Sequence, residues 1–213
     1  MTVKTHVSFG MTIGLIFIYG LLHIFGFKYL EIENYSIMMG ILYFGIIFPD
    51  IDEPESYIGR KTVFISDIIK RLFGHRGFTH SSIFMLLLSV ILGIIYTVLY
   101  YSNYLSLTCY YTGIFFYIPT FFLGMLLHSF GDMHTKSGIK LFYPISKKSY
   151  WLLPKSLRFK TFSSLENYIW LPIYSFLFIV MTILIGLFFY GYSFLDVYNL
   201  ITDLKVIKDF FNN

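Results

Sequence analysis

Apolar residues in this chain gather into long runs and do not alternate at the short spacings of half-buried strands. Clear runs cover residues 7–27, 81–101, 110–131 and 169–190, the first interrupted only by His23. A weaker run covers 30–48, apolar from Ser36 to Phe48 but carrying Glu31, Glu33 and Asn34 at its start. About 20 predominantly apolar residues suffice for a helix to cross the hydrocarbon core of a bilayer. The pattern therefore predicts an all-α fold, a polytopic membrane bundle of four to five transmembrane helices in one integral membrane domain, 1–213. The 30–48 run is short enough to be re-entrant. Pro119 predicts a kink, and Trp170 an anchor at the membrane surface. No small-residue cleavage site follows the first run, so it is expected to be retained.

Two stretches have a different period. Ile65, Ile68, Ile69 and Leu72 fall at helical spacing opposite Asp67, Lys70 and Arg71. That predicts a short amphipathic helix in the membrane interface, stopped by Gly74. The stretch from Phe194 to Phe211, with Val197, Ile201 and Leu204 in line, predicts a second such helix.

Composition agrees with lipid as the solvent: 56% of residues are apolar and only 13% charged, against about 25% in soluble domains. Charge also sets orientation. Thirteen of the 16 Lys and Arg fall on 1–6, 49–80 and 128–168, leaving only Lys28, Lys205 and Lys208 for the other side. The positive-inside rule makes the richer set, and the N-terminus with it, cytoplasmic. The net charge of +4 is then mostly topological, and with no nucleic-acid module present no such partner is expected. The single cysteine, Cys109, excludes an internal disulfide and a multi-thiolate metal site.

Ionisable groups are costly in and beside spans, so those that remain imply function. His6 opens the first span. Asp50 and Asp52 end the second, His75 and His80 precede the third, His128 and Asp132 end the fourth, and Glu166 precedes the fifth. All of these lie at the same, cytoplasmic end. Imidazoles and carboxylates are the usual non-sulfur ligands of zinc, manganese and iron. His128 and Asp132, four apart, share one helical face. Gly77 permits a turn that brings His75 and His80 inward. The metal-ligand candidates are His6, Asp50, His75, His80, His128 and Asp132. His23 lies about 25 Å further along the first helix and is expected to stay out. His134 is ambiguous. The bland alternative is a cluster that knits the bundle by hydrogen bonds without metal.

Three stretches carry a family likeness. They are Phe48-Pro-Asp-Ile-Asp-Glu-Pro-Glu-Ser56 with Gly59-Arg60, Gly74-His-Arg-Gly-Phe-Thr-His-Ser81, and His128, Asp132, Thr135 and Gly138 followed by Leu141-Phe-Tyr-Pro144. With Thr5-His6, these resemble the YdjM-like family of bacterial inner-membrane proteins, described as membrane-bound metal-dependent hydrolases. The sequence departs from that pattern at Glu53, where the family has a histidine. The family is in turn distantly similar to the zinc-dependent phospholipase C and single-strand nuclease superfamily. That likeness implies a cluster of one to three divalent ions, zinc before manganese. It would be held by His6, Asp50, His75 or His80, His128, Asp132 and Glu166.

The expected activity is hydrolysis of a phosphoester in a lipid or other amphiphilic substrate, at the cytoplasmic face of the bacterial inner membrane. Asp52 or Glu166 would act as general base, and Arg76, with Arg60 as a second candidate, would hold phosphate charge. The alternative is a non-enzymatic metal-binding membrane protein or transporter.

Overall fold

The computed structural model describes residues 1–24 and 32–191, except the side chains of 22–24 and 32. The side chain of His23 and the amphipathic stretch from Phe194 to Phe211 lie outside the described residues. Seven α-helices occur among the described residues: α1 (Val3–Ile24), α2 (Ile32–Ile47), α3 (Val63–Phe73), α4 (Ser82–Tyr101), α5 (Leu107–Thr112), α6 (Ile118–Asp132) and α7 (Leu171–Phe189).

Among the described residues, four helical segments are long and apolar enough to cross a membrane: Glu33–Asp52, Ser82–Tyr101, Leu107–Asp132 and Glu166–Phe189. The first reaches spanning length because α2 runs straight into a 3-10 turn, Phe48–Asp52, with Pro49 at its start. The third joins α5 to α6 through a π turn, Gly113–Tyr117. A second π turn, Glu166–Trp170, leads into α7. Each π turn ends two residues before a proline, Pro119 or Pro172. A proline ring excludes the i−4 carbonyl and removes a donor, and a widened turn absorbs both faults without ending the helix. The bend expected at Pro119 takes this form. α1, with 22 residues, packs against α2, α6 and α7.

Lipid-facing surface is plain on α4, of which only 6% is buried, and on α7, of which 11% is buried. In water that much exposed Leu, Ile and Val would be an aggregation surface; in a bilayer it is the solvated face. α6 is the opposite case. It packs against α1, α2 and α4, and buries Phe121, Met125, Leu127, His128 and Asp132. The core around it holds Met11, Ile18, Met38, Leu42 and Ile46. α2 and α6 touch backbone to backbone. A Cβ on Gly124 would stand 2.7 Å from the Leu42 carbonyl oxygen and 2.9 Å from Gly45 Cα. Small residues give this close approach, which dispersion and polar contacts then stabilise in lipid.

α3 covers the amphipathic stretch, with Phe64 and Leu72 exposed, and Gly74 ends it at φ +70°. Residues 133–163 contain no helix, yet Ile139 and Phe159 are buried there. Two isolated backbone bridges, Thr135 with Phe159 and Ile139 with Tyr150, tie the segment together.

Candidate metal centre

Four chain segments end at one level of the bundle. The first two turns of α1 bring His6. The turn after α2 brings Asp50 and Asp52, the turn Phe78–His80 brings His80, and the last turns of α6 bring His128 and Asp132. Three groups of their side chains could hold a metal ion: His6, Asp50 and His128; His80, His128 and Asp132; Asp50, Asp52 and His80. The groups share members, so they describe one pocket and not three.

The two central imidazoles face each other. His80 Nε2 lies 3.1 Å from His128 Nε2. His128 Nδ1 is 2.6 Å from the Ile46 carbonyl, to which it donates, so its Nε2 carries the lone pair. His80 Nδ1 is 3.2 Å from Asp52 Oδ2, which makes that nitrogen the donor and leaves its Nε2 facing His128. Two lone pairs at this distance repel unless a cation, proton or metal, lies between them. Two nitrogens on one zinc at about 2.0–2.1 Å are separated by about 2.9–3.4 Å, a range that includes the observed value. Asp50 Oδ1 stands 3.5 Å from His128 Nε2 and 3.8 Å from His80 Nε2. Asp132 Oδ2 stands 3.6 Å from His80 Nε2 and 4.0 Å from His128 Nε2.

Asp132 divides its work between its two oxygens. Oδ1 accepts from the Met1 amine at 2.7 Å and from Arg76 Nη2 at 2.8 Å. Oδ2 is buried with no hydrogen-bond partner among the described residues. His6 stacks on His128 at 3.9 Å, and both of its ring nitrogens are buried without a hydrogen-bond partner among the described residues, although Nε2 is 3.2 Å from Asp132 Oδ1. Buried polar atoms without partners cost about 1–3 kcal/mol each, so Asp132 Oδ2 and one His6 nitrogen left unsatisfied beside the facing imidazoles fit a cation. The donor set is all nitrogen and oxygen, as zinc or manganese accepts.

Asp52 holds the loop that delivers His80. Its Oδ1 accepts from His75 Nδ1 at 2.9 Å. Its Oδ2 accepts from the Arg76 amide at 3.1 Å and from the Thr79 hydroxyl, beside His80 Nδ1. Burial presses the His80 imidazolium to lose its proton, but the hydrogen bond and charge of Asp52 outweigh it and raise its pKa above the usual histidine value. A carboxylate orienting the far nitrogen of a metal-facing histidine is the common outer layer of such sites.

The remaining candidates take other positions. His75 is half-buried at the rim and enters none of the three groups. Glu166 is buried, and its oxygens accept from the Thr2 amide at 2.6 Å and the Phe162 amide at 2.8 Å; it too enters no group. Arg76 joins Asp132 to the hydroxyls of Thr135 and Ser137. His134 turns away: its Nδ1 lies 2.8 Å from the Phe130 carbonyl, its ring packs on Phe9, and burial lowers its pKa. Sequence reasoning missed Thr79, Ser137, the Ser129 hydroxyl bonded to the His80 carbonyl, and the Met1 amine. Thr79 had one signal, its place inside the His75–His80 turn; the others had none.

A family profile described as YdjM inner membrane protein matches residues 1–198. YvsG of Bacillus subtilis (strain 168), described as uncharacterized, is 35% identical over 100 residues, 47% of this chain and 52% of that protein. The inner membrane protein YdjM of Escherichia coli (strain K12) is 34% identical over 98 residues, 46% of this chain and 44% of that protein. The YdjM of Shigella flexneri gives the same figures. The chain spans about half the length of the curated relatives it matches. No solved structure matches it. On the profile match along nearly its whole length, and with apolar helices that fit a multi-pass membrane protein, the chain belongs to the YdjM inner membrane protein family.

Proposed function

We propose that this protein is a metal-dependent hydrolase of the bacterial inner membrane. It cleaves a phosphoester in a lipid or other amphiphilic substrate at the cytoplasmic face. The observation that carries the reading is the facing pair His80 Nε2 and His128 Nε2, flanked by Asp50 Oδ1 and Asp132 Oδ2. Each carboxylate oxygen lies within 4.0 Å of both ring nitrogens. The cytoplasmic orientation rests on the Lys and Arg bias of the loops at that end.

His80, His128, Asp50 and Asp132 would hold the ion, zinc before manganese, with His6 stacked behind His128 as a further ligand. A divalent cation there supplies Lewis acidity: it polarises a phosphoryl oxygen and makes water acidic near neutral pH. The engaged oxygens of Asp52 and Glu166 give these two a holding role. Asp50 Oδ1 belongs to the ligand set, so we assign proton acceptance to the other oxygen, Oδ2, of this side chain, which keeps 15% solvent exposure. Arg76, fixed by Asp132, Thr135 and Ser137, is placed to meet phosphoryl charge. A transporter reading has less support. Conduits place charges deep in their spans, and the middles of the described spans carry no Asp, Glu, Lys or Arg.

The test is an assay of detergent-purified protein with zinc or manganese against phospholipids and lipid phosphates. At least one should turn over, and turnover should vanish on chelation and in His128→Ala. Turnover that survives complete metal removal contradicts the mechanism.

A further inference from the structure

A pocket of about 450 Å³ opens beside the centre, lined among others by His75, Arg76, Ser137, Lys140, Ser149 and Thr161. That volume is in the range of small-ligand sites, about 300–1,000 Å³. Two of its lining residues also touch the cluster: His75 bonds Asp52, and Arg76 bonds Asp132. The pocket and the centre are therefore one side chain apart.

The lining chemistry has a single sign. Among the described residues it offers a guanidinium, an ammonium, an imidazole and three hydroxyls, and no carboxylate. Donor capacity is left over. Arg76 Nε is buried with no partner, and Lys140 makes no ion pair among the described residues, only a 6.0 Å approach to the Tyr143 ring. The wall is also set in place. Gly138 adopts φ +62°, and a Cβ there would be 2.6 Å from the Tyr150 carbonyl oxygen and from Trp151 Nε1. Ile139 pairs with Tyr150 across it. Arg76 itself stands at φ +57°, held by Asp52 through its amide. A non-glycine residue kept in the left-handed region costs about 1–3 kcal/mol and persists where its surroundings over-determine it.

We propose that this pocket seats the phosphoryl group of an anionic phosphoester. Arginine and lysine donors with hydroxyls suit a many-oxygened anion. A choline-type headgroup is not favoured there, since among the described residues no Trp, Tyr, Phe or carboxylate lines the pocket to take a quaternary ammonium. Calling the anion a substrate rests on the hydrolase reading; the seat itself does not.

The test is calorimetric titration of inorganic phosphate into chelator-treated, detergent-purified protein, so that phosphate cannot bind through metal. Phosphate should bind the wild type, bind about tenfold or more weakly to Lys140→Ala, and recover in Lys140→Arg. No binding to the chelated wild type, or equal binding to Lys140→Ala, overturns the proposal. Competition then identifies the source. Displacement by phosphatidic acid in mixed micelles assigns the seat to a lipid, and displacement by glycerol phosphate alone assigns it to a soluble ester. Phosphatidylcholine competing as well as phosphatidic acid overturns the anionic preference. Phosphate binding without any turnover removes the hydrolase reading and leaves the seat standing.

Discussion

Replacing Asp52 with Asn should lower zinc affinity without removing a central ligand. The native carboxylate receives His75 Nδ1 on one oxygen, and the Arg76 amide, the Thr79 hydroxyl and His80 Nδ1 beside the other. An asparagine accepts on one edge only. Keeping its carbonyl toward the three donors turns its NH₂ against His75, which is half-exposed and can shift its proton to the other nitrogen. On the three-donor edge the charge is lost, and neutral hydrogen bonds are roughly half as strong as charge-assisted ones. At about 0.7 kcal/mol lost per bond, the loop that sets His80 and Arg76 loses about 2 kcal/mol. That corresponds to about thirtyfold in affinity, within the 10–100-fold typical of roughly this kind of outer-layer change. Competition for zinc with a chromophoric chelator reads the effect in detergent. Glu53→Gln is the control: it removes a nearby charge whose partner Lys70 is exposed, and it should change affinity by less than about twofold. Asp52→Asn binding zinc as tightly as wild type would refute the reasoning, as would an equal loss in Glu53→Gln.

Three further outcomes follow from the geometry. Zinc affinity should fall as pH drops from about 8 to about 5.5, because metal must displace the proton that Asp52, despite burial, helps His80 retain; flat affinity across that range would contradict it. Gly124→Val should force α2 from α6 and so part Asp50 from His128, seen as lost monodispersity and lost metal, whereas Gly93→Ala on lipid-facing α4 has open space and should be tolerated. Exposed Cys109 should react with a membrane-impermeant maleimide from the outer face, and Lys140→Cys in a Cys109→Ser background from the cytoplasmic face; reversed labelling would invert the orientation.

Much of the site could be read in the sequence because membranes make polar groups expensive. Ionisable side chains at helix ends therefore stand out, and helical periodicity then pairs His128 with Asp132. Roles within the cluster were less accessible. Whether Asp52 accepts a proton or steadies a loop depends on which donors surround it, and Thr79 and the Arg76 amide reach it only once the His75–His80 turn has folded. Glu166 looked like a ligand by position, yet its bonds to the Thr2 and Phe162 amides link segments 164 and 4 residues away. Of the basic pocket, His75 and Arg76 stood out in the sequence, whereas Ser137, Lys140, Ser149 and Thr161 had no local signal. It arises where the His75–Arg76 turn meets residues 133–163, which lack a helical period and are joined by two backbone bridges.

The central claim is that His80, His128, Asp50 and Asp132 share a divalent cation. Elemental analysis of protein purified without chelator addresses it directly, comparing wild type with His128→Ala and Asp132→Asn, each checked for a monodisperse fold. The account requires at least about one zinc or manganese per wild-type chain and a large loss in both variants. Equally negligible metal in all three folded proteins would leave the cluster as hydrogen bonding alone and contradict it.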